Sequence, residues 1–376
     1  MEPIEYTIAQ RSDQAALIDF ANYVFSQSSE PHDFKLLLPK VYGDHVCAAE
    51  AATHYIARRA GAIRALVAML PLEMRILDSR LSLGFVGTVS VHPYERGQGH
   101  MKRLMGDMLS DARRRGLDML ILGGQRQRYG YFGFERAGVG LQYTVTATNL
   151  RHCLGEADVS DISFSPLTAD RPDELAFVRR LCRARSAYVE RPESRLLDIL
   201  RSWNSECLLI RKGGERIGYV SGAIIEIGLT DESLLPLVLR ALFAAKGLEE
   251  AELSVAPYET ERIRALRPLC ESYSLQPLEM VNVLNWPSVL TALLRLKADY
   301  TRLEDGRVTL DVDGGGYALQ VQGGQPSVTR FDGVPDLSLH HLKAMQLLFG
   351  LESAVCAHPF RNWLPLPFFM SAADGF

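Results

Sequence analysis

Between His54 and Leu109 the chain changes its hydrophobic period once, and a glycine-rich turn stands at the change. HYIARR, IRALVAML, EMRIL and SLGFVGTVSV are short apolar-rich runs, with turns at Ala60-Gly61 and Asp78-Ser79 and Pro71 as punctuation. Such a stretch reads as an antiparallel meander. After VHPYERGQG, the residues Met101, Leu104, Met105, Met108, Leu109 and Ala112 recur at helical spacing, with Lys102, Arg103, Asp107 and Asp111 off that stripe. This helix is expected to stop near Gly116. LDMLIL (117–122) then reads as a buried strand, followed by the glycine- and aromatic-rich loop GGQRQRYGYFGF. Upstream, a strand around Tyr6 to Ile8 precedes a helix over Ala15 to Phe25, with Leu17, Phe20, Ala21 and Val24 on one face.

A strand that enters a helix through a glycine turn aims main-chain N–H groups at one point, where the helix dipole also favours negative charge. Arg96-Gly97-Gln98-Gly99 is therefore suited to phosphate. A dinucleotide fingerprint would need a third glycine where Lys102 stands, and a parallel βαβ unit in place of the meander. A P-loop would need Gly-Lys-Ser/Thr, which Lys102-Arg103 does not supply. A tight turn capped by glycine for packing alone remains a third possibility.

A weaker echo of the same plan follows. Strand ISFSPL, a helix from Asp173 to Arg183, strands CLLIR and RIGYVSGAII, a helix from Ser233 to Ala245 and strand AELSV repeat the order without the glycine turn. Asp231 and Glu232 stand there instead, and acids at a helix start repel an anion. The last third opens with a helix near Pro287, continues as hairpins at Asp305-Gly306, Asp313 to Gly316 and Gly323-Gly324, and reads as helical again over LSLHHLKAMQLLFG. It ends in the apolar tail PFRNWLPLPFFMSAADGF, which Pro359, Pro365 and Pro367 stiffen.

A formal charge of -4 gives no basic surface for nucleic acid. Cys47, Cys153, Cys182, Cys207, Cys270 and Cys356 are scattered, without CxxC pairs or histidines at ligand spacing, so neither a disulfide framework nor a metal site is expected. No apolar leader and no run of about 18 apolar residues occurs, so membrane insertion is not expected and a cytoplasmic location is.

Arg96-Gly97-Gln98-Gly99, after Val89, Val91 and Pro93, resembles the acetyl-CoA loop of the GNAT superfamily of N-acetyltransferases, R/Q-x-x-G-x-G/A. Met101 occupies its last position, which is also commonly apolar in the enhanced intracellular survival (Eis) family of GNAT proteins. The resemblance covers the whole chain. It implies an α+β / α/β protein of two tandem GNAT folds and a C-terminal sterol-carrier-protein-like α+β domain. The boundaries are 1–145 for the acetyl-CoA-binding domain, 146–284 for the degenerate second one, and 285–376 for the third. It also implies a homo-oligomer, a hexamer.

By the same resemblance, the main chain of Val89, Ser90 and Val91 pairs with the pantetheine arm. Arg96, Gly97, Gln98, Gly99, His100, Met101 and Lys102 wrap the pyrophosphate, and Gly124 and Gln125 also touch acetyl-CoA. Tyr129, four residues before Gly133 in Y-x-x-x-G-F, is the general acid, while Tyr131 and Phe132 read as packing residues. The base is the free carboxylate of the C-terminal residue, here Phe376, with His92, His100 and Asp374 as alternatives. The acceptor is a primary amine: an aminoglycoside, a polyamine or a lysine side chain. Glu30 and Asp33 are the loop acids nearest to such a role. A lipid-binding module would instead need an apolar tunnel. An inactive scaffold would be expected to lack Arg96, Gly99 or Tyr129, and all three are present.

Overall fold

The computed structural model describes residues 2–27, 30–222, 226–351, 353 and 359–376. The period change is realised as expected. Strands β1 (Glu5–Ile8), β2 (Thr53–Arg59), β3 (Ala62–Ile76) and β4 (Ser79–Val91) form an antiparallel meander, and β4 then pairs in parallel with β5 (Met119–Leu122). β3 runs straight through Pro71 where the sequence suggested a break. Its neighbour β2 ends opposite Met69, two residues short of Pro71, so the missing proline N–H falls beyond that ladder. Two later segments complete this sheet. Met280–Val283 lies between β5 and β6 (Glu135–Arg136), and Ala187–Val189 pairs with the far end of β3.

Alternate residues of these strands feed two cores, as the twofold period of a strand requires. Leu83, Phe85, Met119 and Ile121 face α1 (Gln14–Phe25), the short helices α2 (Phe34–Leu37), α3 (Pro39–Tyr42) and α4 (Ala48–Ala51), and the C-terminal third. Val86, Leu120 and Leu122 face α5 (His100–Arg114). Asp111, read from its spacing as lying off the apolar stripe, is in fact buried. It accepts from Tyr55 Oη at 2.5 Å and pairs with Arg115 at 2.7 Å. The aromatic loop also carries more structure than expected: α6 (Arg126–Tyr129) runs into a 3-10 turn over Gly130–Phe132.

The second unit has a four-stranded antiparallel sheet of Ile162–Pro166, Cys207–Lys212, Glu215–Ser221 and Glu226–Leu229. The expected strand RIGYVSGAII thus ends at Ser221, and Ala223, Ile224 and Ile225 lie outside the described residues. Beside this sheet, β7 (Gly140–Thr146) holds Glu250–Val255 and Tyr273–Gln276 on its two edges. In the last third, helix Trp286–Tyr300 packs on a sheet of Gly306–Val312, Gly315–Gln322 and Gln325–Arg330. LSL, read as the start of the last helix, is instead a strand, Leu337–Leu339, parallel to Gly306–Val312, and the helix begins at His341.

Leu293, Leu310, Leu319, Phe349, Trp363, Leu366 and Phe368 are buried in the same core as Leu83 and Phe85. The C-terminal third and the first sheet therefore share one hydrophobic interior. Cys47, Cys153, Cys182, Cys207 and Cys270 are free thiols, and Cys356 lies outside the described residues. Among the described residues no helix is long and apolar enough to cross a membrane.

Candidate active site

The first sheet opens where β4 and β5 part. Their parallel pairing runs from Leu83 opposite Met119 to Phe85 opposite Ile121 and ends there. Among the described residues, β4 from Val86 to Val91 pairs only with β3, so the main chain of Val89, Ser90 and Val91 borders an edge open to an added strand. The ladder to β3 is itself irregular here. Leu66 faces Ser90 and Ala68 faces Gly87, so Val67 alone stands opposite both Thr88 and Val89. This is a bulge, with Thr88 at φ 45°.

Beyond Val91 the chain makes a short turn over Pro93–Glu95 and reaches Gly97 and Gly99, at φ 79° and 82°. A β-carbon at either would meet no protein atom within 4 Å, so the left-handed backbone keeps these positions glycine, not crowding by the protein. Gly99 is the N-cap of α5, whose first-turn N–H groups point out of the helix end. The turn is braced from below. His100 is buried, with Nδ1 2.8 Å from Tyr6 Oη and Nε2 3.4 Å from Glu95. Arg59 donates to both oxygens of Glu95 at 2.8 and 2.9 Å and to Gln98 Oε1 at 3.4 Å. The side chains of His100 and Gln98 thus brace the loop. Arg96 is exposed, and Lys102 lies over the Tyr131 ring at 4.9 Å.

Tyr129 is buried at the end of α6, in the same core as Val86, Val89, Met105 and Leu122. Gly124 makes room for it, since a β-carbon there would collide with the Tyr129 ring. Gln125 starts the turn and accepts the Tyr129 N–H at 3.1 Å. Burial pushes the phenol pKa up, while Arg128 beside it pulls the other way. Tyr131, expected to be a packing residue, is 66% exposed; it meets the edge of Phe132 and the Lys102 ammonium.

The C-terminus reaches this site from the other face. A β-carbon on Gly87 would stand 2.7 Å from the Phe376 ring and 3.0 Å from a Phe376 main-chain oxygen, so β4 is bare where the terminus lies against it. The Phe376 ring also packs beside Tyr42. Two buried cations hold the tail. Lys40 Nζ donates to the carbonyls of Ala373, at 2.7 Å, and Gly375, and burial pushes its pKa down to about 7. Arg191 donates to both oxygens of Asp374, at 2.8 and 2.9 Å, and to both of Glu226, at 2.7 Å each. Ser371 and Tyr219 hydroxyls complete the shell of Glu226. Asp374, an alternative base by sequence, is thus committed to a buried ion pair.

None of these tail contacts was legible as a site. Gly87 alone carried a signal, since glycine inside a strand marks close approach of another chain segment. His92 caps the turn by accepting from the Tyr94 N–H at 3.3 Å and stacks on Tyr23. Asp33 is likewise occupied, capping α2 through the Lys35 N–H. Among the described residues no group of three His, Cys, Asp or Glu side chains is arranged to hold a metal ion.

The tail lock gives a measurable expectation. Arg191→Met removes the cation to which both Asp374 and Glu226 are hydrogen-bonded, and breaking a buried ion pair in this way costs about 3–5 kcal/mol. Denaturant unfolding should show that loss, and carboxypeptidase should then remove Phe376 from a protein that otherwise resists it.

An open β4 edge, a left-handed glycine turn at a helix start and a buried tyrosine after β5 thus lie in one part of the first sheet. Residues 5–137 match the acetyltransferase (GNAT) domain. Similar solved structures extend over the full length. A GCN5-related N-acetyltransferase from Anabaena variabilis superposes with TM-score 0.68 at 15% identity, covering all of both chains. Eis1 from Mycobacterium abscessus does so with TM-score 0.66 at 16% identity, and a GCN5-related N-acetyltransferase from Kribbella flavida with 0.65 at 16%, again covering all of both chains. These likenesses establish a shared α+β fold across the molecule. No curated protein sequence matches the chain.

Proposed function

We propose that this chain is an N-acetyltransferase of Eis type that moves the acetyl group of acetyl-CoA to a primary amine, using its own C-terminal carboxylate as the base. The observation that carries the reading is the seating of Phe376 on Gly87, at the point where β4 leaves β5. Acetyl-CoA would be held by the main chain of Val89, Ser90 and Val91 along the open edge, by the turn from Arg96 to Lys102, and by Gly124 and Gln125. When bound, it supplies the thioester.

Two residues handle the protons, from opposite faces of the sheet. Phe376 belongs to the core on the tail side and takes a proton from the amine. Tyr129 belongs to the core on the α5 side and gives its proton to the departing sulfur. The C–N bond forms as the C–S bond breaks, so an amine and a thioester become an amide and a thiol. The second unit, 146–284, would bind no acetyl-CoA of its own and helps to hold the tail through Arg191. Asp231 caps its helix start by accepting the Ser233 N–H, and Glu232 pairs with Arg262, so acids occupy the place where a phosphate would bind. The third unit, 285–376, is read as sterol-carrier-protein-like, and its role is to deliver the tail.

Gly99→Glu puts a β-carbon and a negative charge at a left-handed helix start. Titration calorimetry is expected to show loss of acetyl-CoA binding, and retained affinity would remove the phosphate loop. The function itself is tested by thiol release from acetyl-CoA in the presence of an aminoglycoside, a polyamine and a lysine peptide. Amine-dependent release is the expected result. Binding of acetyl-CoA without release on any amine would instead describe an inactive scaffold.

A further inference from the structure

Among the described non-glycine residues with positive φ, Thr88 is the only β-branched one. A β-branched side chain is strained in the left-handed region, and such strain persists where the surroundings impose it. Glycine or asparagine would fit the bulge with less strain, so a purely structural bulge gives no reason for threonine.

The hydroxyl is held in a buried chain of defined polarity. His54 Nδ1 lies 2.9 Å from the Ala52 carbonyl, which can only accept, so Nδ1 carries the ring proton. His54 Nε2 then offers a lone pair and takes the Tyr42 phenol proton at 3.1 Å. Tyr42 Oη is left to accept the Thr88 hydroxyl proton, also at 3.1 Å. Burial pushes His54 down to about 4, so the ring is neutral and this order holds at neutral pH. Thr88 Oγ1, with its proton committed, presents only lone pairs. The same Tyr42 ring packs against Phe376, whose terminus lies on Gly87, the residue before Thr88.

We propose that Thr88 is the specificity-determining residue for the amine: its Oγ1 accepts one N–H of the acceptor while the Phe376 carboxylate takes the other proton. This rests on the acetyl-transfer reading above. Two neighbouring acceptors match the two protons of a neutral primary amine and turn its lone pair towards the thioester carbon. A secondary amine or an alcohol has one proton and cannot satisfy both. In the transfer, that nitrogen bonds to the acetyl carbon, the sulfur leaves and is protonated by Tyr129, and Thr88 exchanges no proton.

The test compares wild type, Thr88→Val, Thr88→Ser and Thr88→Gly. The substrates are whichever of the three probe amines turns over, together with its N-methyl counterpart. Thr88→Val should lower kcat/KM for the primary amine by about tenfold, the scale of one lost hydrogen bond, while changing the N-methyl amine by less than about twofold. Thr88→Ser should restore the wild-type preference. Thr88→Gly should melt no lower than wild type yet share the loss, which separates this role from a folding one. An unchanged primary-to-secondary ratio in Thr88→Val or Thr88→Gly, with wild type active, would overturn the assignment of Thr88 alone. A wild-type chain that acetylates no amine would overturn the acetyl-transfer reading, and this inference with it.

Discussion

A chain carrying one extra residue after Phe376 should bind acetyl-CoA and melt as the native protein does, yet transfer no acetyl group. One residue moves the terminal carboxylate by up to about 3.5 Å, beyond the tolerance of a hydrogen bond to the reacting amine. The tail has no slack to absorb that shift. Lys40 holds the carbonyls on both sides of Asp374, Arg191 clamps its side chain, and the Phe376 ring is seated on Gly87 and Tyr42. A free α-carboxyl titrates near about 3.5, too low for a good base at neutral pH. Seated on Gly87, the carboxylate would act by proximity, taking the proton that the neutral amine nitrogen releases as it bonds to the acetyl carbon. Removal of Phe376 should have the same effect on turnover, because the new terminus at Gly375 ends one residue short. Steady-state kinetics with calorimetry and thermal melts distinguishes lost chemistry from lost folding, and full activity in the extended chain would send the search for a base to a water chain.

Tyr129→Phe should lower kcat by about 10²-fold with acetyl-CoA affinity nearly unchanged, the scale expected when a general acid is removed. Phenylalanine preserves the ring that fills the space left by Gly124 and meets the edge of Phe134, so packing is kept and only the proton donor is lost. Tyr131→Phe should do far less, since that ring is 66% exposed and stands outside the core that holds Tyr129. The pH profile adds a second check. The Tyr129 pKa is raised, so the phenol keeps its proton to higher pH than a free tyrosine. Its alkaline loss of kcat should therefore lie above the ordinary value of about 10, and Tyr129→Phe should lack that limb. A reversal of the two tyrosine effects would place the acid two residues further on.

What could be read directly was local. The strand period to Val91, the left-handed glycines at 97 and 99 and the apolar stripe of α5 depend on neighbours a few residues apart, and each stands where expected. The misreadings share a cause, which is a partner far away in sequence. Asp111 looked solvated because its stripe was polar there, but Tyr55 and Arg115 satisfy it inside. Leu337–Leu339 looked helical because its register with Gly306–Val312 is set by a parallel pairing that no local period reports. The site divides in the same way. The glycine turn was legible from spacing and Tyr129 was singled out by the family resemblance, whereas Lys40, Thr88 and Arg191 gave no signal, because each meets partners from a tail or strand far away in the chain. The apolar, proline-stiffened ending announced burial, and only the fold shows that it ends on Gly87.

The most direct test replaces the α-carboxylate of Phe376 by a carboxamide through ligation of a synthetic tail, keeping every side chain and the chain length. The account predicts native melting, native acetyl-CoA affinity and loss of amine-dependent thiol release, since an amide of the same shape cannot take the proton. An amidated chain that acetylates amines at the native rate would contradict it.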